Sequence, residues 1–115
     1  MVQYSPRLDL TFAAVSDPTR RGILERLGRS DASITELAGA FEMTLTGMKK
    51  HVQILEDARL LKSEKIGRVR VCRLGSRRLT NEAAWIAKYE AMVNARLDSL
   101  EAFLARTDSQ SGEAK

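Results

Sequence analysis

Residues 44–61 read TLTGMKKHVQILEDARLL, and they predict a helix with two different faces. At 100° per residue, Met48, Val52 and Leu55 fall on one face, which is expected to pack against a core. The side chains across from them are polar or basic: Thr46, Lys49, Lys50 and Gln53. That outer face offers positive charge and hydrogen-bonding groups to a partner.

A second predicted helix ends shortly before this one begins. Ser33 is expected to cap it, because Glu36 three residues later completes a capping box, and the helix stops near Glu42. The helix with two faces then begins after a cap at Thr44 and runs to about Arg59. Two helices joined by so short a turn, the second with a basic outer face, indicate a helix-turn-helix.

The residues upstream predict two further helices. Apolar side chains recur at helical spacing over residues 8–15, and Asp17-Pro18 marks the start of the next helix. Arg20 and Arg21 stand in its first turn, where positive charge is unfavourable to the helix dipole. This position predicts a partner for at least one of them, either an internal carboxylate or a DNA phosphate.

Downstream of residue 61, apolar residues recur at every second position, which is the spacing of a β-strand. Residues 62–66 and 69–74 predict two strands joined at Gly67-Arg68, a turn in which glycine can adopt positive φ. Cys72 alternates with its neighbours in the second strand and is expected to be half buried. So much positive charge on a hairpin suits a wing that lies along phosphate groups. Its basic side chains are Lys62, Lys65, Arg68, Arg70 and Arg73.

Residues 80–106 predict one long helix, since they contain no Gly or Pro and repeat apolar side chains every three or four positions. About 25 residues at 1.5 Å each give a rod near 40 Å long, which is too long to bury against so small a domain. The simplest partner is a second copy of the chain, and Phe12 of the first helix is expected to join that seam. Residues 1–106 are thus predicted to form a single domain, and 107–115 a disordered tail. The long helix contributes Trp85, Ile86, Tyr89, Val93, Leu97, Leu100 and Leu104 to the seam.

Composition narrows the class of function. Residues 43–78 hold ten Lys or Arg against three Asp or Glu, although the 115-residue chain carries a net charge of only +4. A basic patch on an otherwise acidic chain is typical of a surface that meets a phosphate backbone. With one Cys and one His in the chain, we predict no metal site and no cofactor. No nucleophile with a nearby base and no Gly-rich phosphate loop is present, so we predict no enzyme. The absence of a long apolar run predicts a cytoplasmic protein without a membrane segment.

Together these features predict a mainly α fold with a small β-hairpin, a winged helix-turn-helix that binds double-stranded DNA. The predicted contacts on the recognition helix are Thr44, Thr46, Lys49, Lys50, His51 and Gln53, and those on the wing are Lys65, Arg68 and Arg70. Thr44 has an equally good reason to be present as a helix cap. An alternative is a winged helix that binds protein or RNA, because the fold alone does not fix the partner.

Four segments of the chain resemble ArsR-type winged-helix repressors. They are residues 12–24, 35–38, 50–61 and 67–70, and the similarity extends over roughly residues 8–105. The resemblance implies a dimeric transcriptional repressor whose first and last helices form the subunit interface. Residues 35–41 lack the cysteine pair of the metal-sensing members, and the final helix has no His. The chain is therefore similar to the branch without metal-binding motifs, and Arg59 stands where the family favours a small residue.

We therefore expect a homodimeric repressor that places two recognition helices in successive major grooves of an inverted-repeat operator. A ligand-responsive or thiol-responsive sensor is the alternative within this class, with Cys72 as the thiol. A redox role would require a lowered pKa at this residue or a second, resolving thiol.

Overall fold

The computed structural model describes residues 6–113, and the side chains of residues 6–107. The chain forms two compact units, one ending at Arg78 and the other beginning at Leu79. The elements follow one another in the order α1 (Pro6–Val15), α2 (Pro18–Leu27), β1 (Ala32–Ser33), α3 (Ile34–Ala40), α4 (Leu45–Asp57), β2 (Leu61–Ile66), β3 (Val69–Leu74) and α5 (Thr80–Glu113).

The starts of α2, α3 and α4 are set by side-chain caps, as predicted. Each cap accepts a hydrogen bond from a backbone N–H group that the first helical turn leaves without a partner. The capping box of α3 is complete, because Glu36 also accepts from the backbone N–H of Ser33 at 3.2 Å. The three capping bonds run from Arg20 N to Asp17 at 3.0 Å, from Glu36 N to Ser33 at 3.0 Å and from Gly47 N to Thr44 at 3.0 Å.

Two helices end slightly earlier than predicted. Helix α3 ends at Ala40 and α4 at Asp57, each two residues before the predicted boundary. Glu42 (φ 54°) and Arg59 (φ 62°) then adopt the left-handed conformation, which reverses the chain and cannot continue a right-handed helix. Apolar periodicity does not reveal where such a reversal falls. Neither residue is a glycine, which is the residue type that usually marks a left-handed helix end in a sequence.

The core of the first unit is built around the inner face of α4. Met48, Val52 and Leu55 are all buried, as the periodicity predicted. They pack with buried side chains from the other elements of this unit, which fixes the direction of the outer face of α4. The neighbours in this cluster are Ala14, Ile23, Leu27, Ala32, Ile34, Leu37, Ala38, Ala58, Leu60, Leu61 and Cys72.

The sheet has three antiparallel strands in the order β1-β3-β2, and not the two that the sequence predicted. The β2–β3 hairpin has the predicted turn, with Gly67 at φ +65°. Strand β1 is only two residues long and pairs Ala32 with Cys72. Because β3 is consequently the central strand, Cys72 is 0% exposed, and the prediction that it is half buried was wrong.

Helix α5 forms the second unit and is longer than predicted. It continues to Glu113, so residues 107–113, for which the sequence predicted disorder, are helical; residues 114 and 115 lie outside the described part of the chain. No proline interrupts this stretch, so nothing in the sequence forces the helix to stop. Most large apolar side chains along α5 are between 49% and 56% exposed, whereas Val93 is half buried. Trp85 stacks on Tyr89 with ring centroids 5.8 Å apart.

Candidate nucleic-acid interface

The outer face of α4 presents an exposed polar surface. Thr46, Lys49, Lys50 and Gln53 all lie on the outside of the helix, opposite the buried Met48. Thr44 is also exposed, although its hydroxyl already accepts from Gly47 N. Of the side chains on or beside α4 that the sequence assigned to DNA contact, all except His51 are therefore exposed to a partner.

Basic side chains of the wing meet this surface across a groove of about 300 Å³. Lys49 from α4 and Lys65, Arg68 and Arg70 from the hairpin all line it, and no carboxylate among the described residues does. Gln53 and Arg70 line an adjoining groove of about 470 Å³. Four cations around one groove without a counter-charge attract anions, and the phosphates of a nucleic acid supply them. The fold thus brings together residues that lie about 20 positions apart in the chain.

A chain of hydrogen bonds holds the base of the wing against α4. Arg70 donates from Nη1 to Ser63 Oγ at 3.1 Å, and Ser63 in turn donates to the carboxylate of Glu56, whose two oxygens lie 3.0 and 3.1 Å away. Arg70 belongs to β3, Ser63 to β2 and Glu56 to α4. The bonds therefore link the three elements of the candidate interface and fix the angle of the wing relative to the helix.

His51 and Lys50 lie apart from the groove. His51 is half buried, and its Nδ1 atom faces Nη1 of Arg20 at 3.2 Å. Because a guanidinium can only donate, Nδ1 accepts, and a neutral His51 carries its proton on Nε2. Lys50 is exposed but lines neither groove.

The two arginines in α2 donate to backbone carbonyls of α1, a type of partner that the sequence did not predict. Arg20 donates to Ala14 O at 2.8 Å and Ala13 O at 3.1 Å, and Arg21 donates to Val15 O at 2.7 Å. These carbonyls belong to the last turn of α1, where positive charge is favourable. The cost of a cation at the start of α2 is thus offset at the end of α1.

Asp17 belongs to the same cluster. The hydrogen bond from the backbone N–H of Arg20 lowers the pKa of this carboxyl below its usual value, and the positive charge of Arg20 acts in the same direction. Asp17 therefore caps α2 as a carboxylate at neutral pH.

Some residues of this surface were not assigned from the sequence. Thr35 at the start of α3 lines the groove, and so does Leu45, which is 44% exposed. Leu45 continues the apolar spacing of Met48 and Val52, which predicts burial. Only its position in the first turn of α4, beyond the edge of the core, explains its exposure.

Carboxylates of the chain itself already occupy two side chains of the predicted basic surface, Gln53 and Arg73. Gln53 donates from Nε2 to Asp57 at 2.8 Å, so part of its amide is already occupied. Arg73 of the basic hairpin forms an ion pair with Glu64 at 3.1 Å and approaches Asp31 at 4.0 Å. Arg73 therefore does not add to the positive charge of the groove.

The structure also bears on metal binding, membrane insertion and thiol chemistry. Within the described residues, no three His, Cys, Asp or Glu side chains come together in a cluster that could hold a metal ion. Over the same part of the chain, no helix combines the length and apolar character needed to cross a membrane. Burial raises the pKa of the Cys72 thiol to about 11, with the charge of Glu56 acting in the same direction.

Comparison with known proteins identifies this arrangement. A family model described as "Helix-turn-helix domain" matches residues 15–64. The transcriptional repressor SdpR of Bacillus subtilis (strain 168) is 28% identical over 78 residues, which are 68% of this chain and 87% of SdpR. The crystal structure of the ArsR family transcriptional regulator RHA00566 has 39% identity and a TM-score of 0.71 over 82% of this chain and 97% of that one. This chain belongs to the ArsR family.

A second ArsR-like regulator, from Rhodococcus sp. RHA1, is 32% identical with a TM-score of 0.67 and covers 84% of this chain and 92% of its own. Membership of the ArsR family confirms the winged helix-turn-helix that the sequence predicted, and it makes the chain a DNA-binding transcriptional regulator. At the position where the family resemblance led us to expect a small residue, this ArsR chain holds Arg59 in a left-handed conformation (φ 62°).

Proposed function

We propose that this protein is a homodimeric repressor that acts in the cytoplasm and binds an inverted-repeat operator in double-stranded DNA. The observation that carries the proposal is the groove where Lys49 of α4 meets Lys65, Arg68 and Arg70 of the wing. A recognition helix beside a basic hairpin can reach base edges and phosphates from one side of a duplex.

In this proposal the two elements have different tasks. The outer face of α4 enters the major groove, where Lys49 and Lys50 can donate to guanine acceptors. Thr46 and Gln53 on the same face can bond to bases or phosphates. Arg68 at the tip of the wing contacts phosphate, which does not depend on base sequence. Leu45, exposed in the first turn, is suited to contact a thymine methyl group. His51 has only Nε2 available, because Arg20 faces Nδ1.

Helix α5 supports the homodimer. Its exposed apolar side chains form a stripe along a helix about 50 Å long, and such a stripe is costly to leave in water. An identical helix from a second copy covers it with matching spacing. The dimer surface would include Trp85, Ile86, Tyr89, Val93, Leu97, Leu100 and Leu104, with Phe12 of α1 as a further contributor.

The experiment begins with selection of genomic fragments that the purified protein retains, followed by fluorescence anisotropy on the selected sequence. We expect an inverted repeat whose half-sites are about one helical turn apart. Lys49→Gln should weaken binding roughly tenfold, whereas Arg29→Gln, which removes the same charge from the turn after α2, should leave it within about twofold. Equal losses for the two variants would mean that binding follows net charge alone.

The dimer requires its own measurement. In sedimentation experiments, Leu97→Glu should convert the dimer to a monomer and abolish high-affinity binding to the full repeat. Ala91→Glu adds the same charge on the face of α5 opposite the stripe at 100° per residue, and this control should remain dimeric. A wild-type monomer without affinity for duplex DNA at low salt would contradict the proposal, and displacement of DNA by RNA at lower concentration would favour the RNA-binding alternative.

A further inference from the structure

A second basic cavity lies at the opposite end of α4 from the candidate interface. Its volume is about 440 Å³, and Arg7, Arg59, Lys62 and Arg77 contribute four cations to its walls. In the part of the chain that the structure describes, Glu56 is the one carboxylate that lines it. A cavity of this size matches those that hold small molecules, and the excess of cations favours an anion.

Most of the cavity lies away from the surface proposed to contact DNA, although Glu56 lines both the cavity and the groove beside Gln53. Lys62 is at the start of β2, about 16 Å along the strand from the turn at Gly67. Arg59 follows the last turn of α4, about 20 Å along that axis from Thr46. A DNA duplex docked on the first turns of α4 and the wing tip is therefore not expected to fill this cavity.

One wall of the cavity is held in place by buried hydrogen bonds. Arg77 donates from Nη1 to Thr11 Oγ1 at 2.9 Å, and Thr11, which is 1% exposed, donates to the backbone carbonyl of Arg7 at 2.9 Å. The guanidinium of Arg77 is thus fixed at the wall before any ligand arrives. Fixed donors bind an anion more tightly, because less side-chain entropy is lost on binding.

Arg59 lies at the wall of the cavity in an unusual backbone conformation. Its φ of 62° lies in the left-handed region, which is strained for any residue with a Cβ atom and which glycine adopts without strain. The side chain is exposed and lines the cavity, so it contributes no core packing that would compensate for the strain. The same conformation ends α3 at Glu42, so at Arg59 it marks the end of α4 and leaves a cation at the wall of the cavity.

We propose that this cavity is a binding site for a small organic anion that carries a phosphate or a carboxylate. Arg59 and Lys62 bind the anionic group, the Arg59 guanidinium is able to form paired bonds, and Arg77 adds positive charge at the same wall. Glu56 accepts a hydrogen bond from a hydroxyl group of the same ligand. An adjoining cavity of about 380 Å³ shares Arg7 and Arg59 but also contains Asp57, and its charge is less favourable to an anion.

The position of Glu56 gives the site a route to the wing. Glu56 lines the cavity and also accepts from Ser63, which in turn accepts from Arg70 in the DNA groove. A ligand that bonds to Glu56 competes for the same carboxylate oxygens and weakens the link to the wing. The regulatory consequence rests on the proposed function, whereas anion binding itself does not.

The site is tested by isothermal titration calorimetry on the full chain without DNA, with glycerol 3-phosphate, inorganic phosphate and benzoate as probes and glycerol as the neutral control. We expect glycerol 3-phosphate to bind and Arg59→Gly to weaken it roughly tenfold. Glycine keeps the left-handed conformation, so this variant should remain folded. Arg29→Gln removes one cation outside both basic sites and should bind as the wild type does.

The calorimetry results distinguish binding in the cavity from the nonspecific attraction of anions to a basic protein. Failure of all three anions to bind at about 10 mM, or wild-type binding by Arg59→Gly, would overturn the proposal. A loss in Lys49→Gln equal to that in Arg59→Gly would place the anion in the DNA groove and would also overturn it. Backbone amide shifts of Leu61 and Ser76 on titration provide a second readout. DNA affinity with and without the ligand is measured separately. Calorimetry would therefore still show whether the cavity binds an anion, even if the protein did not bind DNA.

Discussion

The Nη1 atom of Arg20 lies 3.2 Å from Nδ1 of His51, so a side chain of α2 fixes the imidazole of the recognition helix. The same guanidinium donates to the carbonyls of Ala13 and Ala14 at the end of α1. One arginine therefore connects three helices. Its planar fork can satisfy all three acceptors at once, which a lysine ammonium on a flexible stem cannot do with the same geometry.

Arg20→Lys should lower the free energy of unfolding by about 1 to 2 kcal/mol, because at least one of these charge-assisted bonds is lost. It should also change the nitrogen shifts of His51, which in the wild type show the tautomer with its proton on Nε2. Arg21→Lys is the matched control, since Arg21 makes a single bond to Val15 O that lysine can replace. Unchanged His51 shifts in Arg20→Lys would show that the Arg20–His51 contact does not determine the tautomer in solution.

Asp17 gives the chain a defined response to acid. Its folded-state pKa is lowered, mainly by the N–H of Arg20, so its contribution to stability is complete above the ordinary value of 3.8 and is lost as the pH falls through the folded value. Asn also caps helices well but does not titrate. The difference in free energy of unfolding between wild type and Asp17→Asn should therefore be constant above about pH 5 and shrink below it. The other acidic groups are present in both proteins and cancel. A difference that stays constant from pH 6 to pH 2.5 would contradict the assignment.

Sequence reasoning succeeded where the determining interactions are local. The caps at Asp17, Ser33 and Thr44 depend on bonds to residues three positions away, and the turn depends on Gly67 alone. The burial of the inner face of α4 follows from periodicity on one helix. These features can be read from a single stretch of the chain.

The features that were missed depend on contacts between distant segments. Strand β1 has two residues, too few to show a period, and it exists because Ala32 pairs with Cys72 forty positions later. The full burial of Cys72 follows from the same pairing. The partners of Arg20 could not be predicted, because they require the packing of α1 beside α2. The Lys49 groove was partly predictable, since basic residues on both elements were evident, but the inclusion of Thr35 depends on how α3 packs.

Cys72 should be a slow thiol. It is 0% exposed, and burial raises its pKa to about 11, so almost no thiolate is present at pH 8. Iodoacetamide should modify the folded protein at least about a hundredfold more slowly than the protein in denaturant. Because the raised pKa means that the fold favours the protonated thiol, its contribution to stability falls as the pH rises from 9.0 toward 11. Peroxide should leave DNA affinity equal in the wild type and in Cys72→Ala. A loss confined to the wild type would instead support the thiol-responsive alternative.

Two glycines should respond in opposite directions to alanine. A Cβ atom at Gly75 would come 2.6 Å from Arg59 O, a backbone atom that cannot move without disturbing the left-handed turn. Gly75→Ala should therefore lower the free energy of unfolding by about 2 kcal/mol or more. Gly39 in α3 has nothing within 4 Å of the same added atom, so Gly39→Ala should raise stability by about 0.5 to 1 kcal/mol. Chemical denaturation measures both, and similar values for the two variants would show that the chain after β3 does not approach the turn so closely.

A substitution at Ser63 separates two contributions of the wing to DNA binding, its orientation and its charge. Ser63→Ala removes the link between Arg70 and Glu56 without changing any charge, and it should cost about 1 kcal/mol of stability. If the link holds the wing at the angle that DNA requires, operator affinity should fall several-fold. The dependence of log K on log salt should keep its slope, because the variant leaves every cation that faces a phosphate in place.

Arg68→Gln is the comparison for Ser63→Ala, because it removes one cation proposed to bind phosphate at the tip of the wing. Its slope should become shallower by roughly one unit for each phosphate that is no longer neutralised, with little change in stability. If Ser63→Ala instead changes the slope while Arg68→Gln does not, the phosphates must bind at the base of the wing, and the assignment of its tip to the DNA backbone would be wrong. Anisotropy titrations at four salt concentrations on the same operator would separate the two cases.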